Sequence, residues 1–298
     1  MKLEFATLDV FTDTRFAGNS LAVVFEADGL DGATMQKIAR EFSHPETVFV
    51  LKPQAAGSTA HLRIFTPATE MPFAGHPTVG TALVLSLRRN GGSDFVLEEK
   101  IGLLKCRVDA QGADHGRASF VLPALPSPGG APASREAIAA ALGLTANDIG
   151  FDQHQPSKWS IGNAFTFVPL RDIDAVRRCR IDEAHWDAAF GSSSGGSAAY
   201  VFCGETEDSA NSFHARMFAP VFGVREDPAT GSAAAAFAGF CARSLSLGDG
   251  EHRFVIEQGF EMGRRSLIEL SVTMRGGALV SASVGGPAII VTEGAIEA

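Results

Sequence analysis

The sequence predicts an α+β protein built from two similar halves, each a curved sheet around one apolar helix. Two short segments, 76–82 and 227–233, share a polar residue, a proline, a glycine, a hydroxyl and an alanine in the same order. Each segment runs into small or apolar residues, at 83–87 and 234–238, as the start of a buried helix does. Short alternating strand-like stretches with few other helices complete each half, which favours α+β.

The repeat extends on both sides of the two segments. The stretches 63–67 and 216–220 precede them, each with Arg first, Phe third and Pro fifth. The strand-like stretches 95–98 and 254–257 follow the two helices after glycine-containing turns. Strand, turn, helix, turn and strand therefore recur about half a chain apart, which a duplication explains better than a solenoid of many copies.

A Pro- and Gly-rich run at 123–130 predicts the boundary between the halves, because such a run continues neither a helix nor a central strand. A helix from Ser134 to Leu142, with Ser134 as its cap, is predicted to open the second half. The predicted domains are residues 1–124, joined by the C-terminal strand 281–298, and residues 125–280.

Composition excludes several classes of protein. The 298 residues are 45% hydrophobic and 20% charged, which is ordinary for a globular chain. A net charge of −9 argues against binding to nucleic acid or to acidic membranes. No apolar run is long enough to span a bilayer, and residues 1–5 alternate like a strand and lack the apolar core of a signal peptide, so a cytoplasmic location is expected.

No metal or phosphate motif is predicted. The four cysteines form no C-x-x-C pair, and the scattered histidines lack the spacing of metal ligands. They are interpreted as buried thiols and as surface or structural histidines. The glycine- and serine-rich segment 191–197 lacks the Lys-Ser/Thr ending of a phosphate-binding loop and is predicted to be a surface loop.

His76 and Asp227 are the first candidates for function, because the same position of the repeat carries a titratable group in both halves. Either residue alone is explained by helix capping or a turn. Gly75 and Gly231 lie beside them and allow a ligand close to the backbone. Helix starts attract anions, so two such starts facing one cleft would bind an anionic substrate.

Glu46 is a third candidate, at the point where a predicted helix (34–42) gives way to an apolar strand. A carboxylate at a strand entrance is usually a solvated end residue. The apolar residues that follow would desolvate it and raise its pKa toward neutrality, as proton transfer requires.

These motifs resemble the phenazine-biosynthesis PhzF family, whose fold is that of diaminopimelate epimerase. The resemblance spans nearly the whole chain in the family's order, and its second helix-opening motif is the most specific. The matching segments are 9–12, 16–19, 46–50, 72–78, 226–233, 258–259 and 262–264.

The resemblance implies two pseudo-symmetric domains, each a curved, mostly antiparallel sheet wrapped around a central helix, with the active site between them. It also implies a homodimer, no cofactor and a small carboxylate-bearing substrate. Glu46 resembles the family's catalytic acid/base, while His76, Asp227 and Ser232 resemble polar groups around the substrate. Gly75 and Gly231 match the glycines at the helix openings.

The predicted function is a cofactor-independent isomerase that moves a proton on its substrate. Glu46, His76 and Asp227 are the predicted catalytic residues: Glu46 takes and returns the proton, while His76 and Asp227 polarise the substrate or relay a proton. The epimerase relatives use two opposed cysteines, one on each repeated turn, and this chain has no cysteine near either motif. An epimerase or racemase acting on an amino-acid-like substrate, and a non-catalytic ligand-binding protein on the same scaffold, remain alternatives. Pro45 stands where the isomerase usually has serine, so the substrate and any role in a phenazine pathway stay open.

Overall fold

The computed structural model describes residues 1–89, 91–191, 196–220 and 223–298. Two compact units form within these ranges: residues 1–123 with 283–298, and residues 124–282. Asn90 of a predicted turn and residues 192–195 of the predicted loop lie outside the described residues.

Strands and helices alternate through both units. The first unit contains β1 (Lys2–Val10), β2 (Asn19–Val24), α1 (Gly32–Phe42), β3 (Glu46–Leu51), β4 (Ala60–Phe65), β5 (Glu70–Met71), α2 (Gly75–Arg88), β6 (Asp94–Glu99), β7 (Gly102–Ala110) and β8 (His115–Val121). The second contains β9 (Ser127–Pro128), α3 (Arg135–Ala141), β10 (Ser157–Ile161), β11 (Asn163–Pro169), α4 (Ile173–Arg178), α5 (Glu183–Phe190), β12 (Ala198–Cys203), β13 (Phe213–Ala219), β14 (Val224–Asp227), α6 (Gly231–Ser244), β15 (Gly250–Gln258) and β16 (Ser266–Arg275). The last strand, β17 (Ala278–Glu297), starts in the second unit and completes the first.

The sheet of the first unit closes on itself. Its strands pair in the order β17–β1–β2–β3–β4–β6–β7–β8, and β8 pairs with β17 again. Two of these pairs, β2–β3 and β4–β6, are parallel and the others are antiparallel. A parallel pair needs a crossover, and α2 lies in the crossover from β4 to β6.

The second unit repeats the same sequence of pairings. From β10 to β11, β12, β13, β15 and β16 the pairs alternate between antiparallel and parallel, as they do from β1 to β7. Helix α6 lies in the crossover from β13 to β15 and so corresponds to α2. The predicted α+β fold with a mostly antiparallel sheet around a central helix is confirmed.

Both central helices are buried along most of their length. In the first unit a Cβ atom on Gly80 would lie 2.6 Å from Leu21 Cδ2, so glycine lets α2 approach the sheet closely. In the second unit Phe237 of α6 stacks on Phe240 with a centroid distance of 5.0 Å and packs against Phe202 at 4.8 Å. The core therefore surrounds each helix, and the first residue of each helix is buried as well.

The remaining helices form smaller hydrophobic clusters of their own. Helix α1 packs with β2, β3 and β4, and α3, α4 and α5 pack with β11, β12 and β13. The side chain of Ser134 accepts a hydrogen bond from the backbone N–H of Ala137, so the predicted cap of α3 is confirmed. No helix in the described ranges combines the length and the apolar character needed to cross a membrane.

Candidate active site

The first unit brings two of the predicted residues together. Glu46 is the first residue of β3, and His76 is the second residue of α2. Glu46 Oε2 lies 3.2 Å from His76 Nε2, and the two side chains are 18% and 5% exposed. Residues separated by thirty positions in sequence therefore form one polar pair at the start of the central helix.

The His76 imidazole is held in its neutral form. Burial lowers the pKa of His76 to about 3, although a hydrogen bond to the backbone of Ser20 acts in the opposite direction. Nε2 is buried and has no partner of hydrogen-bond geometry in the described part of the chain. It is therefore close to Glu46 Oε2 without a well-aligned hydrogen bond. A neutral ring that donates from one nitrogen presents a lone pair on the other, and here that nitrogen faces a carboxyl group.

The second unit orders its own polar group before α6. Asp227 is the last residue of β14, and its Oδ2 accepts a 2.6 Å hydrogen bond from Thr230 Oγ1. Gln258 donates from Nε2 to the backbone oxygen of Asp227 at 2.8 Å and to Thr230 Oγ1 at 3.0 Å. Gln258 Oε1 accepts from the backbone N–H of Thr230 at 3.2 Å, so one amide fixes this turn from both ends.

In the structure, the two repeated segments align differently from the alignment predicted from sequence. Helix α2 begins at Gly75 and helix α6 at Gly231, so these two glycines correspond and His76 corresponds to Ser232. Asp227 does not take the place of His76, because it lies in a strand four residues before its helix. Local likeness between the two proline-containing segments misled the sequence comparison, since proline is tolerated both inside a first helical turn and in the turn before it.

Four residues that lie in these turns or bond to them were not singled out as functional from sequence: Ser20, Thr78, Thr230 and Gln258. Thr78, Thr230 and Gln258 stood in matching family segments, which was a usable signal. Ser20 has no such signal, because its importance comes from a hydrogen bond to His76 in a distant segment. In the described residues, no group of three or more His, Cys, Asp or Glu side chains is arranged to hold a metal ion.

Comparison with known proteins agrees with the fold and the motifs. A family model described as phenazine biosynthesis-like protein, PhzC-PhzF, matches residues 8–294. The chain belongs to this family. An uncharacterized isomerase of Mesorhizobium japonicum is 47% identical over 291 residues, covering 96% of each chain.

Two further relatives of this family member connect the sequence with an activity and with a solved structure. The trans-2,3-dihydro-3-hydroxyanthranilate isomerase of Pseudomonas fluorescens is 33% identical over 293 residues and 98% of each chain. The crystal structure of a PhzF-family phenazine biosynthesis protein from Bacillus anthracis matches with a TM-score of 0.89, 26% identity and complete coverage of both chains. The predictions of PhzF resemblance and of a PhzF-like isomerase acting on a small substrate are confirmed.

Proposed function

We propose that this protein is a cofactor-independent isomerase that moves a proton between two carbons of a small, carboxylate-bearing, conjugated or enolisable substrate. Glu46 takes the proton and returns it, His76 assists it, and Asp227 and Ser232 contact the substrate. The carboxylate of the substrate binds the N–H groups at Gly75 or Gly231. The contact between Glu46 and His76 is the observation that carries it.

A neutral His76 suits proton transfer by Glu46. Were the imidazole charged, it would hold Glu46 as a carboxylate and oppose the half of the reaction in which Glu46 must carry the proton. A neutral ring accepts a hydrogen bond from protonated Glu46 and makes no ion pair with the ionised form. Glu46 therefore alternates between acid and base without a fixed positive charge beside it.

The starts of the central helices suit a substrate carboxylate. The first N–H groups of a helix lack partners within the helix and carry partial positive charge. The side chain of the residue before each outer helix caps that helix; these residues are Asp31, Ser134, Asp172 and Asp182. Ala74 and Thr230 precede α2 and α6, and neither side chain caps its helix. The first N–H groups of the central helices are therefore not taken by a cap of this kind, which favours an anionic ligand there.

The thiols of this chain favour isomerisation over two-base epimerisation. All four cysteines are buried, and burial raises the pKa of each thiol well above its usual range. Thiols that stay protonated are poor bases. Inverting a stereocentre needs a base on each face, whereas moving a proton along one face needs a single group, and Glu46 is that group.

The test is turnover of trans-2,3-dihydro-3-hydroxyanthranilate in deuterated water, followed by nuclear magnetic resonance. Wild type is expected to place deuterium on a product carbon. Glu46→Gln is expected to lower kcat about 10²–10⁴-fold, the usual contribution of one acid/base group. Glu41→Gln, which changes an exposed carboxylate on α1, is the matched control and should keep wild-type activity.

Three outcomes would contradict the proposal. Normal activity of a folded Glu46→Gln variant would remove Glu46 from the chemistry. Deuterium exchange with an inverted stereocentre and no isomerised product would make the protein an epimerase. If carboxylates raise the melting temperature but neither this substrate nor related conjugated amino acids turn over, the protein is a ligand-binding member of the family.

We also propose that the protein acts as a homodimer in the cytoplasm, with no nucleic-acid or membrane partner. This proposal rests on the family resemblance and on the net charge of −9. Light scattering should give about twice the chain mass of 31.3 kDa. A monomer at working concentrations, or enrichment in a membrane fraction, would overturn it.

A further inference from the structure

The two units repeat a set of polar contacts as well as a fold. On the parallel strands β4 and β6, His61 lies opposite Glu98, with Nδ1 and Oε1 3.5 Å apart. On β13 and β15, His214 lies opposite Glu257, with Nδ1 and Oε2 2.8 Å apart. The residue after each glutamate therefore takes the same place in its unit: Glu99 in the first and Gln258 in the second.

Glu99 and Gln258 act on corresponding turns. Gln258 bonds to Thr230, the residue immediately before α6. Glu99 Oε1 lies 2.7 Å from the hydroxyl of Thr78, and the same hydroxyl lies 2.8 Å from the backbone oxygen of Ala74, the residue immediately before α2. Each side chain is thus tied to the point at which its central helix begins.

The hydrogen bonds of the Thr78 hydroxyl indicate the charge of Glu99. The Thr78 hydroxyl has one hydrogen, yet it lies within hydrogen-bonding distance of two oxygen atoms. Both contacts are hydrogen bonds only if Glu99 carries a proton, which it donates to Thr78 Oγ1 while Thr78 donates to Ala74. Glu99 then resembles its counterpart Gln258 in being neutral and able to donate.

The surroundings of Glu99 agree with a neutral acid. Its side chain is buried, and its Oε2 has no hydrogen-bond partner in the described part of the chain. Burial raises the pKa of Glu99 to about 8, against the weaker opposing effect of the bond with Thr78. The titratable neighbour on β7 is Cys106, whose thiol pKa burial also raises, so this neighbour supplies no positive charge.

We propose that Glu99 is a positioning residue: as a buried, neutral carboxylic acid it holds Thr78 and, through Thr78, the turn from which Gly75 and His76 enter α2. This inference rests on the proposed function, because His76 is the group being positioned beside Glu46. When Glu99 loses its proton, its carboxylate can only accept, so Thr78 can satisfy Glu99 or Ala74 but not both.

The first test needs no substrate. Urea unfolding midpoints of wild type and Glu99→Gln are measured from about pH 4 to about pH 9. Because the folded pKa of about 8 is above the unfolded value, this contribution to stability is complete below the unfolded pKa and is lost as pH rises toward 8. Relative to Glu99→Gln, the wild-type midpoint should therefore fall across that window. Parallel curves would show an ionised Glu99 and overturn the proposal.

The second test asks whether Glu99 acts on His76. Nitrogen-15 chemical shifts of the His76 ring should be the same in wild type and Glu99→Gln at about pH 6, because the amide can still donate to Thr78. They should change in Glu99→Met, which keeps the length but removes the donor. Unchanged His76 signals in a folded Glu99→Met variant would make Glu99 merely structural.

Activity on trans-2,3-dihydro-3-hydroxyanthranilate separates this proposal from the proposed function. If wild type turns it over, Glu99→Met should lower kcat about 10–100-fold with little change in KM, and Glu99→Gln should restore the rate. Wild type should also lose activity at alkaline pH, with Glu99→Gln less affected. If wild type is inactive, the proposed function fails, while the unfolding and resonance results still decide the state of Glu99.

Discussion

His214 provides the sharpest prediction about the stability of the second unit. Its two ring nitrogens face two carboxylates: Nδ1 lies 2.8 Å from Glu257 Oε2, and Nε2 lies 2.9 Å from Glu261 Oε1. A carboxylate only accepts hydrogen bonds, so both ring nitrogens must donate, which requires a charged imidazolium. Burial acts to lower the pKa of His214, but the bonds to Glu257 and Glu261 outweigh it and raise this pKa to about 9.

The size of the effect follows from this shift. The folded pKa of about 9 is above the ordinary histidine pKa of 6.5, so the folded protein binds the proton more tightly. The resulting stabilisation is complete below about pH 6.5 and is lost as pH rises through about 9. At 1.36 kcal/mol for each unit of pKa difference, it amounts to about 3 kcal/mol. Bonding to His214 also helps to lower the pKa of Glu257 to about 2; this is the same interaction and is not added.

The assay is urea unfolding of wild type and His214→Gln across the alkaline range. The free energies of unfolding are subtracted at each pH, because Glu99 and the buried thiols contribute alike to both proteins. The advantage of wild type should shrink by about 3 kcal/mol between about pH 6.5 and about pH 10. The exposed pair of His185 with Asp182 supplies the control, and His185→Gln should change stability by less than about 1 kcal/mol. A constant difference between wild type and His214→Gln would show that His214 is neutral in the folded protein.

Three further predictions concern backbone, core and cap, each measured as a change in the free energy of unfolding. Gly259→Ala should cost more than about 2 kcal/mol, because at φ +75° its Cβ would lie 2.5 Å from two backbone oxygens. The control Gly263→Ala, at φ +69° with nothing within 4 Å of the added Cβ, should cost only about 1 kcal/mol. Equal costs for the two variants would contradict the steric argument. Phe237→Ala should cost about 3–5 kcal/mol, because it opens a cavity among the rings around α6, and a loss below about 1 kcal/mol would refute close packing there. Ser134→Ala should cost about 1 kcal/mol through the lost cap of α3, with Ser134→Asp retaining stability as the control.

The fold was predictable because its signals are local. The apolar stretches after Gly75 and Gly231 indicated two buried helices, and alternating stretches such as 95–98 indicated strands. Duplication of these signals implied two similar halves without knowledge of any contact. The same reasoning located Glu46 at a strand entrance, where the structure has the first residue of β3.

The pairing of residues was not predictable in the same way. His76 meets Glu46 because α2 begins beside β3, and this depends on how the whole sheet of the first unit closes. Strand register decides which side chains lie opposite each other, and a shift of one residue exchanges the faces. From sequence, Asp227 was matched with His76 in the repeat. The register of β13 with β15 shows that Gln258 of the second unit corresponds to Glu99 of the first.

That equivalence explains why an acid at position 99 was easily overlooked. A glutamate at a strand end is read from sequence as solvated and charged, as Glu98 beside it is partly exposed. Strand alternation turns the next side chain to the opposite face, which in this unit encloses α2. Burial removes the Glu99 side chain from bulk solvent, and this favours the protonated form of its carboxyl group. Two neighbouring glutamates of one strand thus differ in chemistry because they face opposite sides of the sheet, and the residue that faces the central helix is the one able to act on its start.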